Sequence, residues 1–463
     1  MKIPVEKRTY QEVMTYKPWS YRKPCRQSKV ARWLLKTLSE PELRKVNFEY
    51  TQEGMEQLGA KEPALFLMNH SSFLDLEIAS YLLQKRPFHI VCTNDGFVGK
   101  EGLMRWIGCI PTKKFITDVR LVKDMNYVIK NYQSSILMYP EASYSFDGTQ
   151  TPLPHSLGKC IKMLKIPVVM IKTKGAFLRD PLYNALQIRK VNVSAKVEYL
   201  LSKEQIETFS AKEINEMLAK QFAYDHFKTQ AEEKICVDEP FRADGLHRVL
   251  YKCSHCGSEE HMHGEGVTIT CKNCGSIHEL TEYGMLRKIE NESPNHAGMK
   301  EDTKHASIEY ESSGMTEKLQ GEEKLRETGR FRFVTDWYRW QRECVRQELL
   351  NQTYKLDTDV KILMLVDAKK IYDVGEGHLT HDHNGFTLTG CDGQLQFSLK
   401  PSASYSLYAD YFWYEIGDMI SIGDTSVQYY CFPKTKCNVA KARLATEELY
   451  KMTITGRCEK QKV

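Results

Sequence analysis

His70 and Asp75 are the residues of this chain best spaced for acid–base chemistry. They lie in Phe66-Leu67-Met68-Asn69-His70-Ser71-Ser72-Phe73-Leu74-Asp75. There an apolar run of strand length gives way to a polar loop and then to a helical pattern, with Ser71 or Ser72 as its cap. A carboxylate about one turn inside that helix can accept from one imidazole nitrogen and leave the other as a base. The pair is a Ser-His-Asp arrangement without its serine, so the nucleophilic hydroxyl would belong to a substrate. Spacing alone is a weak signal: with 14 histidines in the chain, about one His-x4-Asp is expected by chance. Placement at a strand-to-helix junction, where α/β proteins bind ligands, strengthens it. So does a second polar motif at the end of another apolar run, Leu137-Met138-Tyr139-Pro140-Glu141-Ala142-Ser143.

A second constellation has metal-ligand spacing. Cys253-x-x-Cys256 and Cys271-x-x-Cys274 are 14 residues apart, and Gly257 and Gly275 follow the pairs, as tight knuckle turns require. The pattern is that of a four-cysteine zinc ribbon, and four thiolates leave no open position, so the expected zinc is structural. The chain has 14 cysteines in all; the rest are scattered, as free thiols in a reducing compartment would be. The ribbon has little basic character, with Lys252 and Lys272 against Glu259, Glu260 and Glu265, so nucleic acid is not expected as a partner. His378, His381, Asp382 and His383 also resemble a metal cluster, but beside Asn384-Gly385 they read as the tip of a hairpin.

The elements that must position these residues follow from the apolar pattern. A chain of 463 residues, 41% hydrophobic and 27% charged, has the composition of folded domains and the length of two or three. Residues 1–45 form a basic, aromatic segment around Trp19, Tyr21 and Trp33, with a short amphipathic helix over 30–38, which suits a membrane surface. Over 46–240 strands at 64–68, 89–93, 136–139, 166–172 and 191–200 alternate with helices at 73–83, 119–131 and 158–164, and a helix over 212–228 closes the region. This is an α/β domain with a mixed sheet flanked by helices. A zinc ribbon over 245–287 and a polar, flexible linker over 288–329 come next. Residues 330–463 read as a mainly β domain with flanking helices: a helix at 331–350, a hairpin at 378–389, strands at 394–399, 405–408 and 420–432, and a final helix at 439–452. Short strands and a closing helix suggest a small barrel or sandwich of PH-like kind.

With these motifs in order, residues 50 to 200 resemble the glycerolipid acyltransferase family, typified by 1-acylglycerol-3-phosphate acyltransferases. Asn69-His70-x4-Asp75 matches that family's Asn-His-x4-Asp motif in full. Gly108-Cys109-Ile110-Pro111-Thr112-Lys113-Lys114 is similar to its Gly-x-Ile-x-x-x-Arg motif, with Lys114 at the arginine. Pro140-Glu141-Ala142-Ser143 stands where the family has Pro-Glu-Gly-Thr, and Ile166-Pro167-Val168-Val169 matches its proline-containing apolar strand. The resemblance implies that His70 deprotonates an acceptor hydroxyl that attacks an acyl thioester, and that Asp75 orients His70. It also implies that Asn69, Lys114, Glu141, Ala142 and Ser143 contact the acceptor. Lys for Arg removes the bidentate fork, and Ala142 restricts a turn that glycine would free, so the headgroup is what these departures affect.

The expected reaction is transfer of a fatty acyl group from acyl-CoA or acyl-ACP to the hydroxyl of lysophosphatidate. Acylation of another lysophospholipid, or an inactive lipid-binding scaffold, stay open as alternatives. The expected partners are a lysophospholipid, an acyl thioester, acyl carrier protein and a membrane surface. No apolar run reaches the 18 or so residues of a membrane span, and the N-terminus lacks the apolar core of a signal peptide. The expected location is therefore peripheral, on the cytoplasmic face of a membrane.

Overall fold

The computed structural model describes residues 3–115, 118–289, 331–435 and 437–460, the last six of these as backbone alone. All but the first two residues of the linker expected at 288–329 lie outside the described residues. The chain opens with a strand β1 (Val5–Lys7), a helix α1 (Tyr10–Met14) and a longer helix α2 (Lys29–Lys45). An α/β unit follows: β2 (Glu49–Glu53), β3 (Leu65–Met68), α3 (Asp75–Leu82), β4 (Phe88–Thr93), α4 (Glu101–Trp106), β5 (Cys109–Thr112), α5 (Val119–Tyr132), β6 (Ser135–Met138), α6 (Leu157–Leu164), β7 (Val168–Lys174), α7 (Ala176–Arg179) and β8 (Ser194–Leu201). Helices α8 (Lys203–Thr208), α9 (Ala211–Gln221) and α10 (His226–Glu232) come after it.

The seven strands of this unit lie in the order β2-β8-β7-β3-β6-β4-β5. From β7 to β5 all neighbours are parallel, and β8 turns antiparallel to β7, so the sheet is mixed. All four residues of β3 are buried, because helices cover both faces of the sheet and neither can be polar. Their alternation splits them between two cores. Phe66 and Met68 pack with Leu74, Ile78 and Phe88, while Leu65 and Leu67 pack with Met125, Val128, Leu157 and Ile161. Pro111 is tolerated because β5 is an edge strand.

The cysteine region is an antiparallel sheet in the order β12-β11-β10-β9, from β9 (Met262–Glu265), β10 (Thr268–Cys271), β11 (Ile277–Leu280) and β12 (Leu286–Ile289). The C-terminal region has α11 (Val334–Leu350), β13 (Leu356–Leu365), β14 (Ile371–Asp382), β15 (Gly385–Gly390), β16 (Leu395–Leu399), β17 (Tyr408–Trp413), β18 (Gly417–Gly423), β19 (Gln428–Pro433) and α12 (Val439–Lys460). Its strands run antiparallel in the order β16-β15-β14-β13-β19-β18-β17. The N-terminal strand β1 joins this sheet, parallel to the start of β14, where β15 does not reach.

The expected elements are present with six corrections. The strand expected at 405–408 begins only at Tyr408 and runs to Trp413 as β17, and the helix expected at 439–452 runs on to Lys460. The single helix expected at 212–228 is two, α9 and α10, with Asp225 capping the second by accepting from Lys228 N at 3.0 Å. The strand expected at 420–432 is the hairpin β18–β19, turned by the Asp424 carboxylate, which accepts from Ser426 N and Val427 N. The β14–β15 turn is His383-Asn384 rather than Asn384-Gly385, since Asp382 pairs with Gly385. The helix expected at 30–38 runs on to Lys45. Trp19 of the N-terminal segment is built into the protein, its ring 5.2 Å from that of Phe97 and its backbone N–H on Val366 O at 3.0 Å. Among the described residues no helix is long and apolar enough to cross a membrane.

Helices α6 and α9 cross at Gly158, where a Cβ would collide with the Ala211 carbonyl oxygen. Gly158→Ala is expected to force the two helices apart and destabilise the fold by about 1–3 kcal/mol, read from urea unfolding.

Candidate active site and metal centre

The parallel strands β6, β3 and β7 are neighbours, so the residues that follow their C-terminal ends meet on one edge of the sheet. His70 follows β3. Its Nδ1 lies 3.0 Å from Asp75 Oδ2, and the same oxygen accepts from Ser71 N at 2.8 Å and Ser72 N at 3.1 Å. Asp75 opens α3 and is 1% exposed, whereas the His70 side chain is 20% exposed. The imidazole is stacked on Tyr139 with ring centroids 4.4 Å apart, and the ring of Tyr144 lies 4.0 Å from it, tilted by 32°. Two rings this close and this nearly parallel to the imidazole must take opposite faces of it. The Tyr139 hydroxyl also donates to Asp75 O at 3.2 Å. His70 Nε2 has no hydrogen-bond partner among the described residues. A tethered, clamped imidazole with one open nitrogen is the geometry of a general base.

Glu141, after β6, holds the main chain of His70. Its Oε2 accepts from His70 N at 3.0 Å, and its Oε1 accepts from Thr151 N and from the Tyr224 hydroxyl, both at 2.8 Å. Burial pushes this carboxyl up to about 7 against those three donors, which pull it down. Asn69 accepts from Thr173 N at 2.8 Å through Oδ1 and donates to Ser71 Oγ at 2.9 Å. Ser71 Oγ lies 3.2 Å from Nε2 of His226, a buried histidine that desolvation pushes down to about 3. Ser72 Oγ donates to Asp180 at 2.5 Å, and burial raises that carboxyl to about 7.

The five residues expected to contact an acceptor are therefore turned to other work. Asn69 and Glu141 are fully buried and bonded internally, and Ser143 is 3% exposed with its hydroxyl on Tyr144 O. Ala142 is buried with φ +54°, in the left-handed region that favours the glycine it replaces. Lys114 is half-buried, with its ammonium 3.7 Å above the ring of Tyr408 on β17. Burial lowers its affinity for the proton, opposed by Asp95 and Asp410. Two exposed residues that follow His70 in sequence are apolar: Phe73, stacked on Tyr144 at 5.0 Å, and Leu76. Tyr139 and Tyr144 lie inside a recognisable motif segment, but nothing local in the sequence marks Tyr224, His226 or Asp180 as neighbours of His70.

The four cysteines of the ribbon converge. Their sulfurs all lie within 4.8 Å of one another, with Cys253 and Cys274 at 3.7 Å and Cys256 and Cys271 at 3.8 Å. A tetrahedral metal with metal–sulfur bonds of about 2.3 Å spaces its ligands about 3.8 Å apart, so the donor set could hold a metal ion. The two knuckles match: Gly257 N donates to Cys253 O at 3.0 Å, Gly275 N to Cys271 O at 2.8 Å, and both glycines have φ +72°. His378 and His381 form no metal cluster, since one lies between Asp357 and Asp359 and the other is buried against Phe386.

Two outcomes follow. Glu141→Gln turns an amide N–H₂ toward groups that are all donors, and is expected to cost about 1–3 kcal/mol in urea unfolding while slowing any reaction that uses His70. Cys271→Ser is expected to abolish the metal content found by elemental analysis of the wild-type protein and to lower its melting temperature.

The family model described as Acyltransferase matches residues 49–173, the span from β2 to β7 that carries His70, Asp75 and Glu141. Among solved structures, the 1-acyl-sn-glycerophosphate (LPA) acyltransferase PlsC from Thermotoga maritima is similar with a TM-score of 0.33 and 14% identity, over 41% of this chain and 78% of that one. No curated protein matches the sequence significantly. The likeness to the acyltransferase family thus rests on residues 49–173, a domain-sized part of the chain.

Proposed function

We propose that the chain moves a fatty acyl group from a thioester, acyl-CoA or acyl-ACP, to the hydroxyl of a lysophospholipid, with His70 as general base. The observation that carries this reading is the His70–Asp75 pair, with Nδ1 tied at 3.0 Å and Nε2 open. Nε2 takes the acceptor's hydroxyl proton as its oxygen attacks the thioester carbonyl. When the tetrahedral intermediate collapses, the carbon–sulfur bond breaks and the imidazolium returns the proton to the leaving thiolate. Asp75 stabilises the imidazolium and fixes the tautomer. Lysophosphatidate is the acceptor that the motif resemblance implies. A second reading, another lysophospholipid, is favoured by Lys114, whose charge already has the Tyr408 ring and the carboxylates Asp95 and Asp410 for company.

The same reading assigns zinc to the four cysteines as a closed, structural ion. It divides the chain into an acyltransferase domain over 46–240, a ribbon over 245–287 and a C-terminal domain over 330–463. The C-terminal strand order, two meanders joined through β13 and β19 and followed by a helix, supports a PH-like domain. A peripheral membrane location is supported by exposed apolar side chains, Val30, Trp33 and Leu38 of α2, Leu76 of α3 and Phe73 just before it, together with the basic Lys29 and Lys36 of α2.

The test uses the purified protein, liposomes, labelled acyl-CoA and acyl-ACP, and a panel of lysophospholipids. Acyl transfer is expected to fall by about 10²–10⁴-fold in His70→Ala. Transfer that survives in that variant removes His70 from the mechanism. No transfer to any acceptor, with liposome binding retained, replaces the enzyme reading with a lipid-binding scaffold.

A further inference from the structure

The loop that covers His70 is held from outside the acyltransferase-family segment. Tyr144, whose ring lies 4.0 Å from the imidazole, has its carbonyl bonded to Arg443 Nη1 at 3.3 Å, across 299 residues of chain. The Arg443 guanidinium also stands 4.5 Å from the ring of Phe146, which is buried and stacked on Tyr411 of β17 at 4.5 Å. Arg443 itself is 3% exposed and cannot wander: its Nε donates to Glu447 at 3.3 Å, and Glu447 is held by Ser406 Oγ at 2.7 Å and by Arg342 at 2.7 Å. On the other side the loop clasps the main chain of His70, with Ser145 N on His70 O at 3.3 Å.

We propose that Arg443, on the C-terminal helix α12, is a positioning residue for acyl transfer: by fixing the main chain of Tyr144 it keeps that ring against the His70 imidazole, so the C-terminal unit completes the active site. The inference rests on the reading of His70 as the base. Arg443 touches no reacting atom. Its removal frees the loop between Tyr144 and Phe146, and the imidazole loses the support on one face while keeping its Asp75 bond.

Arg443→Met, with Arg443→Lys as the conservative variant, tests it in the full-length protein. Arg443→Met is expected to lower kcat by about tenfold or more with little change in the acceptor KM, and to shift the acidic limb of the pH profile. Arg443→Lys restores most of both. A readout that needs no activity is the rate at which diethyl pyrocarbonate modifies His70, followed by mass spectrometry of its peptide. That rate is expected to rise several-fold in Arg443→Met and to stay near wild type in Arg443→Lys. If Arg443→Met does not fold, the paired change with Glu447→Gln removes the buried charge left behind and is measured in the same way. An unchanged modification rate and pH profile in a folded variant overturns the proposal, even where transfer depends on His70. A raised modification rate in a protein that transfers no acyl group supports the positioning role and overturns the reaction instead.

Discussion

One carboxylate oxygen organises the edge of the sheet that carries His70. Asp75 Oδ2 takes the Nδ1 of His70 and the N–H groups of Ser71 and Ser72. A carboxylate with 1% exposure is costly to bury, and three donors on Oδ2 and the start of α3 offset that cost, while Oδ1 is buried without a hydrogen-bond partner among the described residues. The same bonds that make the charge tolerable also bend the chain between β3 and α3 and set the plane of the imidazole. Folding of the loop and orientation of the base are therefore one event.

A second carboxylate works on the main chain. Glu141 bonds the amide of His70, and with Asp75 on the side chain the histidine is held at both ends. The two acids come from different motifs, but β3 and β6 are paired in register, Leu67 opposite Met138, so the segments after them are brought side by side. Asn69 extends the arrangement to Thr173 at the end of β7. Three adjacent parallel strands thus carry His70 and its brace, and the apolar two-sided sheet beneath them supplies the rigidity.

The rest of the chain is joined together by half-buried charge as well as by apolar packing. Lys252 and Lys441 each pair with Glu259 and Glu348, linking the cysteine knuckle to α11 and α12. The apolar residues Val98 and Phe115 of the α/β unit share a core with Tyr408, Trp413 and Tyr430 of the C-terminal sheet. The N-terminal strand β1 ties the opposite end of the chain to the same sheet. The C-terminal sheet is consequently a wall of the α/β unit, and Lys114, an expected acceptor contact, is enclosed by that wall.

Local pattern was enough for the sequence to reveal the apolar strands β3, β4, β6, β7 and β8, the His70–Asp75 pair and the four-cysteine spacing, because each is written within a few residues. Hydrophobic runs report burial on both faces, and ligand spacing reports a knuckle, without reference to the rest of the chain. Only the tertiary structure decided that Glu141 and Asn69 are buried braces, that Lys114 faces Tyr408, and that Tyr224, His226 and Arg443 bond to the segments around His70. Those facts depend on which strands pair and which surfaces close over them. A polar side chain in a motif looks the same in sequence whether it faces a substrate or a buried amide, and the difference is made by neighbours hundreds of residues away.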